Sequence, residues 1–257
     1  MDHPVILIGT GEMAGVFSRG LLKHGHPIIP VTRQMDMNQV AAAVPQPLLV
    51  LVTVGENDLQ PVLARIPAAW RDRLGLLQNE LLPRDWQPHG IDNPTVVAVW
   101  FEKKKGQDYK VLVPSPVYGP AAPIIERALE SLDIPVWELG SSDELIFELV
   151  RKNLYILTTN IAGLALPAGT DVDALWTSHQ ALAREVADEV MDIQFKLIGA
   201  ELPRDQLIAG MVEGIEGDLQ HKCMGRSAPA RLARALQHAE QFGLAVPRLR
   251  TIAAPAN

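Results

Sequence analysis

Several residues in this sequence have types and spacings suited to chemistry. Gly9-Thr10-Gly11-Glu12-Met13-Ala14 fits a G-x-G-x-x-G/A pattern directly after the apolar run Val5–Ile8. Gly9 permits a tight turn, Gly11 lets the backbone come close to a pyrophosphate, and Ala14 is small enough for the next helix to pack on the strand. Backbone N–H groups at the start of that helix would then face the anion. An ordinary strand–turn–helix with turn glycines carries the same letters. Here, however, the pattern follows a strand, opens an amphipathic helix and sits in a βαβ unit of roughly thirty residues. Thr32 and Arg33 end the next β-type run. A carboxylate there would accept bonds from a ribose 2′-OH. A guanidinium pairs instead with a 2′-phosphate, often through two hydrogen bonds, and Thr32 adds a hydroxyl. The pair predicts NADP over NAD, with a solvated surface arginine as the plainer alternative.

Lys152 and Asn160 share the pattern "ELVRKNLYILTTNIAGLAL". On a helix they would stand roughly 80° apart around the axis, two turns along, and could border one cleft. A partly desolvated lysine has a lowered pKa. It could protonate a forming alkoxide while Asn160 orients the substrate. A snorkelling lysine and a polar helix–helix contact explain the same letters. Other candidates carry less. His24 and His26 match no metal spacing, and His221-Lys222 reads as a helix end. Asp171 and Asp173 lack a complete calcium-loop pattern and read as a loop and helix cap. Ser115 and Ser178 lack a nucleophile context. Cys223 has only a neighbouring lysine to suggest reactivity. No metal is expected.

These groups need elements to place them. Strands are expected at Val5–Ile8, 27–32, 48–54, 74–77, 95–101 and 134–139, with helices between them and a hairpin in "FEKKKGQDYKVLV" turning at Gly106. The run "LLVLVTV" is continuously apolar, as in a strand buried on both faces of a parallel sheet. A helix is expected at 121–132. Ser141 with Glu144 forms a capping-box signature. Beyond it only helices are expected, at about 143–165, 177–199, 204–221 and 229–242. The layout predicts a Rossmann domain at 1–140 and an all-helical substrate or dimerisation domain at 141–257. The dinucleotide would cross the carboxyl ends of the strands, with substrate between the domains.

Composition sets limits. At 257 residues and 47% apolar, the chain can bury a sizeable core. A net charge of −7 with no long basic run argues against nucleic-acid binding. A single cysteine excludes an internal disulfide and suits a reducing cytoplasm. The N-terminal apolar run, broken by Gly9, reads as neither signal peptide nor membrane span. A cytoplasmic protein without membrane partners is expected.

The sequence also resembles the ketopantoate reductase (2-dehydropantoate 2-reductase) family. The resemblance lies in "GTGEMAG", "LLKHGHPIIPVTR", "LLQNELL", "YGPA" at 118–121, "RKNLYILTTNIAGL" and "HAEQFGLAVP". It implies an NADPH enzyme with an N-terminal Rossmann domain and a helical domain of the 6-phosphogluconate dehydrogenase-like type. It further implies that Arg33 contacts the 2′-phosphate and that Asn79 lies near nicotinamide and substrate. Lys152 would be the catalytic lysine, and Asn160 the second asparagine of a K-x-x-x-N-x-x-x-N helix.

The sequence departs from this pattern in several places. The first asparagine of that helix is Ile156, a lysine after the third strand is Gly55, and the glycine after the strand-end asparagine is Glu80. No acidic residue occupies 224–237, where the family places a substrate-binding glutamate, and "GIEGDLQHK" has no serine. Each lost buried partner costs about 1–3 kcal/mol, which argues against ketopantoate itself. The expectation is an NADPH-dependent reductase of a 2-oxo acid or related carbonyl compound, with Ile156 pointing to a more apolar acid. In it Lys152 donates a proton while Asn79 and Asn160 orient the substrate. The alternative is a non-catalytic NADP-binding sensor or partner-binding paralogue. A homodimer through the helical half is compatible with its apolar stripes.

Overall fold

A computed structural model describes residues 3–254. The chain divides into two compact units, one ending at Glu148 and the other starting at Leu149. The first runs β1 (Val5–Ile8), α1 (Glu12–Lys23), β2 (Ile28–Val31), α2 (Met37–Ala43), β3 (Leu49–Val52), α3 (Glu56–Leu63), β4 (Leu74–Leu76), β5 (Thr95–Val97), β6 (Phe101–Lys103), β7 (Tyr109–Val111), β8 (Ser115–Tyr118), α4 (Ala122–Glu130) and β9 (Val136–Glu138). Next come α5 (Ser142–Gly163), which crosses the unit boundary, then α6 (Val172–Ser178), α7 (Gln180–Ile198), α8 (Arg204–Gly217), α9 (Ala228–Gln241) and α10 (Pro247–Ala253).

The main sheet has the order β2-β1-β3-β4-β5-β8-β9. Its strands pair in parallel except β5 with β8. β1 lies between β2 and β3, so the chain reverses its direction of sheet growth there. A crevice opens outside the carboxyl end of such a strand. Val5, Leu7, Leu49 and Leu51 share one core cluster with Phe17, Leu21, Ile125 and Leu129 from α1 and α4. The alternate residues Ile6, Ile8, Val50 and Val52 are equally buried, so both sheet faces are covered. Full burial of each such side chain contributes about 1.5–3 kcal/mol.

The strand expected over 95–101 is two strands. β5 stops at Val97, and β6 pairs with β7 in the hairpin around Gly106, whose φ is +77°. Between them Ala98 N–H donates to the Pro116 carbonyl (3.0 Å), and Trp100 N–H donates to the buried Ser115 hydroxyl (2.9 Å). Ser115 thus bonds the chain where it leaves the sheet. β8 itself carries Pro116 and was absent from the expected strands.

In the helical unit, Asp171 caps α6 by accepting from Ala174 N–H at 3.0 Å. That bond, with Lys222 nearby, holds its carboxyl below the usual range. Arg151 fits a notch at Gly210, donating from Nε to the Gly210 carbonyl (3.2 Å) and from Nη2 to Glu213 (2.6 Å). Burial, with the Asp171 charge adding to it, pushes the Cys223 thiol up to about 11. Among the described residues no helix is long and apolar enough to cross a membrane.

The α1–α4 contact is close enough to be tested. A Cβ on Gly20 would stand 2.2 Å from the Ala128 carbonyl oxygen and 2.7 Å from its carbon. Neither atom can move without shifting α4. Gly20→Ala is expected to lower unfolding free energy by about 1–3 kcal/mol in urea titration.

Candidate functional site

The glycine loop sits at the carboxyl end of β1, and its shape is set by what lies behind it. Gly9 has φ +99°, and a Cβ there would meet Val54 Cγ1 at 3.0 Å and the Thr53 carbonyl carbon at 3.2 Å. Glycine is required on both counts. Gly9 N–H donates to the Val31 carbonyl at 3.0 Å. The Thr53 hydroxyl lies 3.0 Å from the Ile8 carbonyl and 3.1 Å from that of Gly9, and it can direct its one proton to either. β1, β2 and β3 are thereby tied together where the loop begins.

Gly11 is the N-cap of α1 and offers no side-chain acceptor to the first-turn N–H groups. A Cβ on Gly11 would meet nothing within 4 Å. This helix end therefore presents unsatisfied donors to open space, which is the arrangement that holds a pyrophosphate. Ala14 is buried beneath it, as the helix–strand packing requires.

Two cavities flank the loop. One, of about 710 Å³, is lined by Gly9, Thr10, Gly11, Thr32 and Arg33 among others. The other, of about 340 Å³, is lined by Glu12, Met13 and Asn79. Thr53, Val54 and Gly55 border both. The structure thus gathers every cofactor-loop residue singled out in the sequence, with Ala14 behind them. A dinucleotide fits this arrangement.

Sequence reasoning passed over four residues here. Gln78, buried beside Asn79, donates from Nε2 to the carbonyls of Val52 (2.7 Å) and Val54 (3.2 Å) and accepts from Leu77 N–H (3.1 Å). It pins the ends of β3 and β4 and so fixes where Asn79 emerges. Lys103, from the β6–β7 hairpin, lies 3.2 Å from Glu12. That cation offsets a carboxylate in the first turn of α1, where it would otherwise oppose a bound phosphate. Asp58 accepts from Arg33 Nη2 at 2.7 Å, and Arg65 lines the same cavity. Glu80 takes φ +61°, the left-handed geometry that glycine favours, at a cost of about 1–2 kcal/mol.

Lys152 and Asn160 both lie on α5 in the helical unit and are 4% and 8% exposed. The Asn160 side-chain oxygen Oδ1 accepts from Arg231 Nη1 of α9 at 2.8 Å. Asn153 donates to Gln194 at 3.0 Å. Arg231 was not foreseen as a partner, and the stretch "GRSAPARLARAL" signals it only as a basic residue where an acid was sought. The neighbouring Gly225 would place a Cβ 3.8 Å from Asn160 Oδ1. Among the described residues no group of three metal-binding side chains comes together.

This architecture, a seven-stranded parallel-rich sheet with a glycine loop followed by a helical unit, is the fold of ketopantoate reductase structures. The ketopantoate reductase structure from Ralstonia eutropha superposes with a TM-score of 0.67 at 17% identity, covering 97% of this chain and 96% of that one. A probable 2-dehydropantoate 2-reductase from Bacillus subtilis gives 0.66 at 18%, covering 97% of each. A D-mandelate dehydrogenase solved with NADH gives 0.66 at 13%, covering 97% of this chain and 96% of that one. No protein-family profile and no curated protein sequence matches the chain. The resemblance read from the sequence is thus met at the level of fold.

Asp85 follows the Asn79 loop and accepts from Leu82 N–H at 2.8 Å. Burial raises its pKa from 3.8, against the opposing effect of that bond. A carboxyl raised in the folded state binds its proton more tightly there. Its contribution is therefore present below 3.8 and lost as pH rises through the raised value. Asp85→Asn should gain stability over wild type across that window in denaturant melts at stepped pH. Gly11→Ala should leave the melting temperature unchanged, because its Cβ enters open space. It should weaken dinucleotide binding at least about tenfold in calorimetry, because the same space must admit the pyrophosphate.

Proposed function

We propose that the protein is an NADPH-dependent reductase of a 2-oxo acid or related carbonyl compound. The observation that carries this reading is the uncapped start of α1 at Gly11, open between a cavity lined by Arg33 and a cavity lined by Asn79. The nicotinamide supplies a hydride when bound. Thr10 and Gly11 hold the pyrophosphate with backbone donors, on the turn that Gly9 allows and with Lys103 set against Glu12. Thr32 and Arg33 take the adenosine-side phosphate. Asn79 orients the substrate carbonyl, Lys152 delivers a proton to its oxygen, and Asn160 fixes the substrate's position. The D-mandelate dehydrogenase solved with NADH supports a nicotinamide cofactor for this fold and leaves the choice of substrate acid wide. The chain's departures from the ketopantoate reductase pattern, Ile156 above all, favour a more apolar acid.

A second reading is supported by Asn160, whose side-chain oxygen Oδ1 is already engaged by Arg231. A site whose polar groups satisfy one another suits an NADP-binding sensor or partner-binding protein that does no chemistry.

Following NADPH absorbance with a panel of 2-oxo acids separates the two. The first reading expects turnover, with kcat in Lys152→Ala reduced about a hundredfold to ten-thousandfold. Full turnover by that variant removes Lys152 from the mechanism. Tight NADPH binding without turnover of any acid supports the second reading.

A further inference from the structure

The larger cavity contains a carboxylate where a phosphate is expected to bind. Arg33 stands at the end of β2 with its side chain 84% exposed, and its Nη2 lies 2.7 Å from Asp58 Oδ2. Asp58 is in the first turn of α3, whose N-cap is Gly55, and both Arg33 and Asp58 line the cavity. The field of that helix end favours an acid at this position, so Asp58 stays on the cavity wall whether or not Arg33 is bound to it. A site selective for the phosphorylated dinucleotide would leave the guanidinium fork open, because two parallel N–H donors grip a phosphate best. Here one arm is already committed. The carboxylate can also accept bonds from a ribose 2′-hydroxyl, the task an acid at the end of the second strand performs in sites for the unphosphorylated form. In this chain the acid comes from α3 instead, beside the arginine.

We propose that Asp58 is a specificity-determining residue that competes with the 2′-phosphate for Arg33, so that the site accepts NADH as well as NADPH. This rests on the cofactor reading above. The Asp58 side chain is 47% exposed. Exposed ion pairs are weak, so a phosphate dianion displaces Asp58 and the competition narrows the preference without reversing it. Arg65, on the same cavity wall, adds a second cation that keeps the phosphate bound once Asp58 has released Arg33.

The test is calorimetric titration of NADPH and NADH into the whole protein as wild type, Asp58→Asn, Asp58→Ser and Arg33→Ala. Removing the carboxylate should tighten NADPH about threefold to fivefold and leave NADH unimproved, which raises the ratio of the two affinities. Asp58→Ser guards against a defect particular to the amide. If both Asp58 variants leave that ratio unchanged or lower it while Arg33→Ala weakens NADPH, the competition is disproved and the cofactor reading stands. If Arg33→Ala binds NADPH as wild type does, or wild type binds neither dinucleotide, the cofactor reading falls and the competition with it.

Discussion

The constraint on which the site depends is steric and lies behind Gly9. The end of β3 presses against the turn after β1 so closely that no side chain fits, and the Thr53 hydroxyl reaches back to the successive Ile8 and Gly9 carbonyls where the turn begins. That contact fixes the direction in which the chain leaves β1, and so where α1 begins and what its first N–H groups face. Gln78 makes the matching tie one strand further along, between the ends of β3 and β4. Both side chains point inward, yet they define the rim of two cavities that open outward. The rim of both cavities is thus built by buried hydrogen bonds between strand ends.

The electrostatics of the rim show a compromise. Glu12 sits in the first turn of α1 and Asp58, with Glu56, in the first turn of α3, each favourable for its own helix. Each would also oppose an anionic ligand. The structure answers both with a cation: Lys103 on Glu12 from the hairpin, and Arg33 on Asp58 from β2. Helix stability and anion binding make opposite demands on these positions, and the paired cations reconcile them at the cost of tying up the charges a ligand would use.

Much of this was legible in the sequence. The glycine pattern, the apolar run of β3, the hairpin and the capping box of α5 are local signals, and each element stands where they indicate. Ser141 accepts from Glu144 N–H at 3.2 Å, and the Glu144 carboxylate reaches back to Gly140 N–H at 2.8 Å, one residue further than the usual box. What escaped was non-local. β8 reads as a loop because of its prolines, but the Pro116 carbonyl still accepts from Ala98 and the strand is paired on both sides. α10 starts at Pro247 because Glu189, some sixty residues earlier, accepts from the N–H groups of Arg248 and Leu249. The Asp58–Arg33 and Arg231–Asn160 pairs likewise join distant segments. A periodicity or a short motif carries no trace of such partners.

Cys223 has a practical consequence. The residue is 1% exposed, and burial pushes its thiol up to about 11, so it stays protonated at neutral pH. The native chain should therefore withstand air without added reductant and ignore maleimides while folded. A cysteine introduced on the rim of either cavity would then take a fluorophore alone, with the native residue left in place.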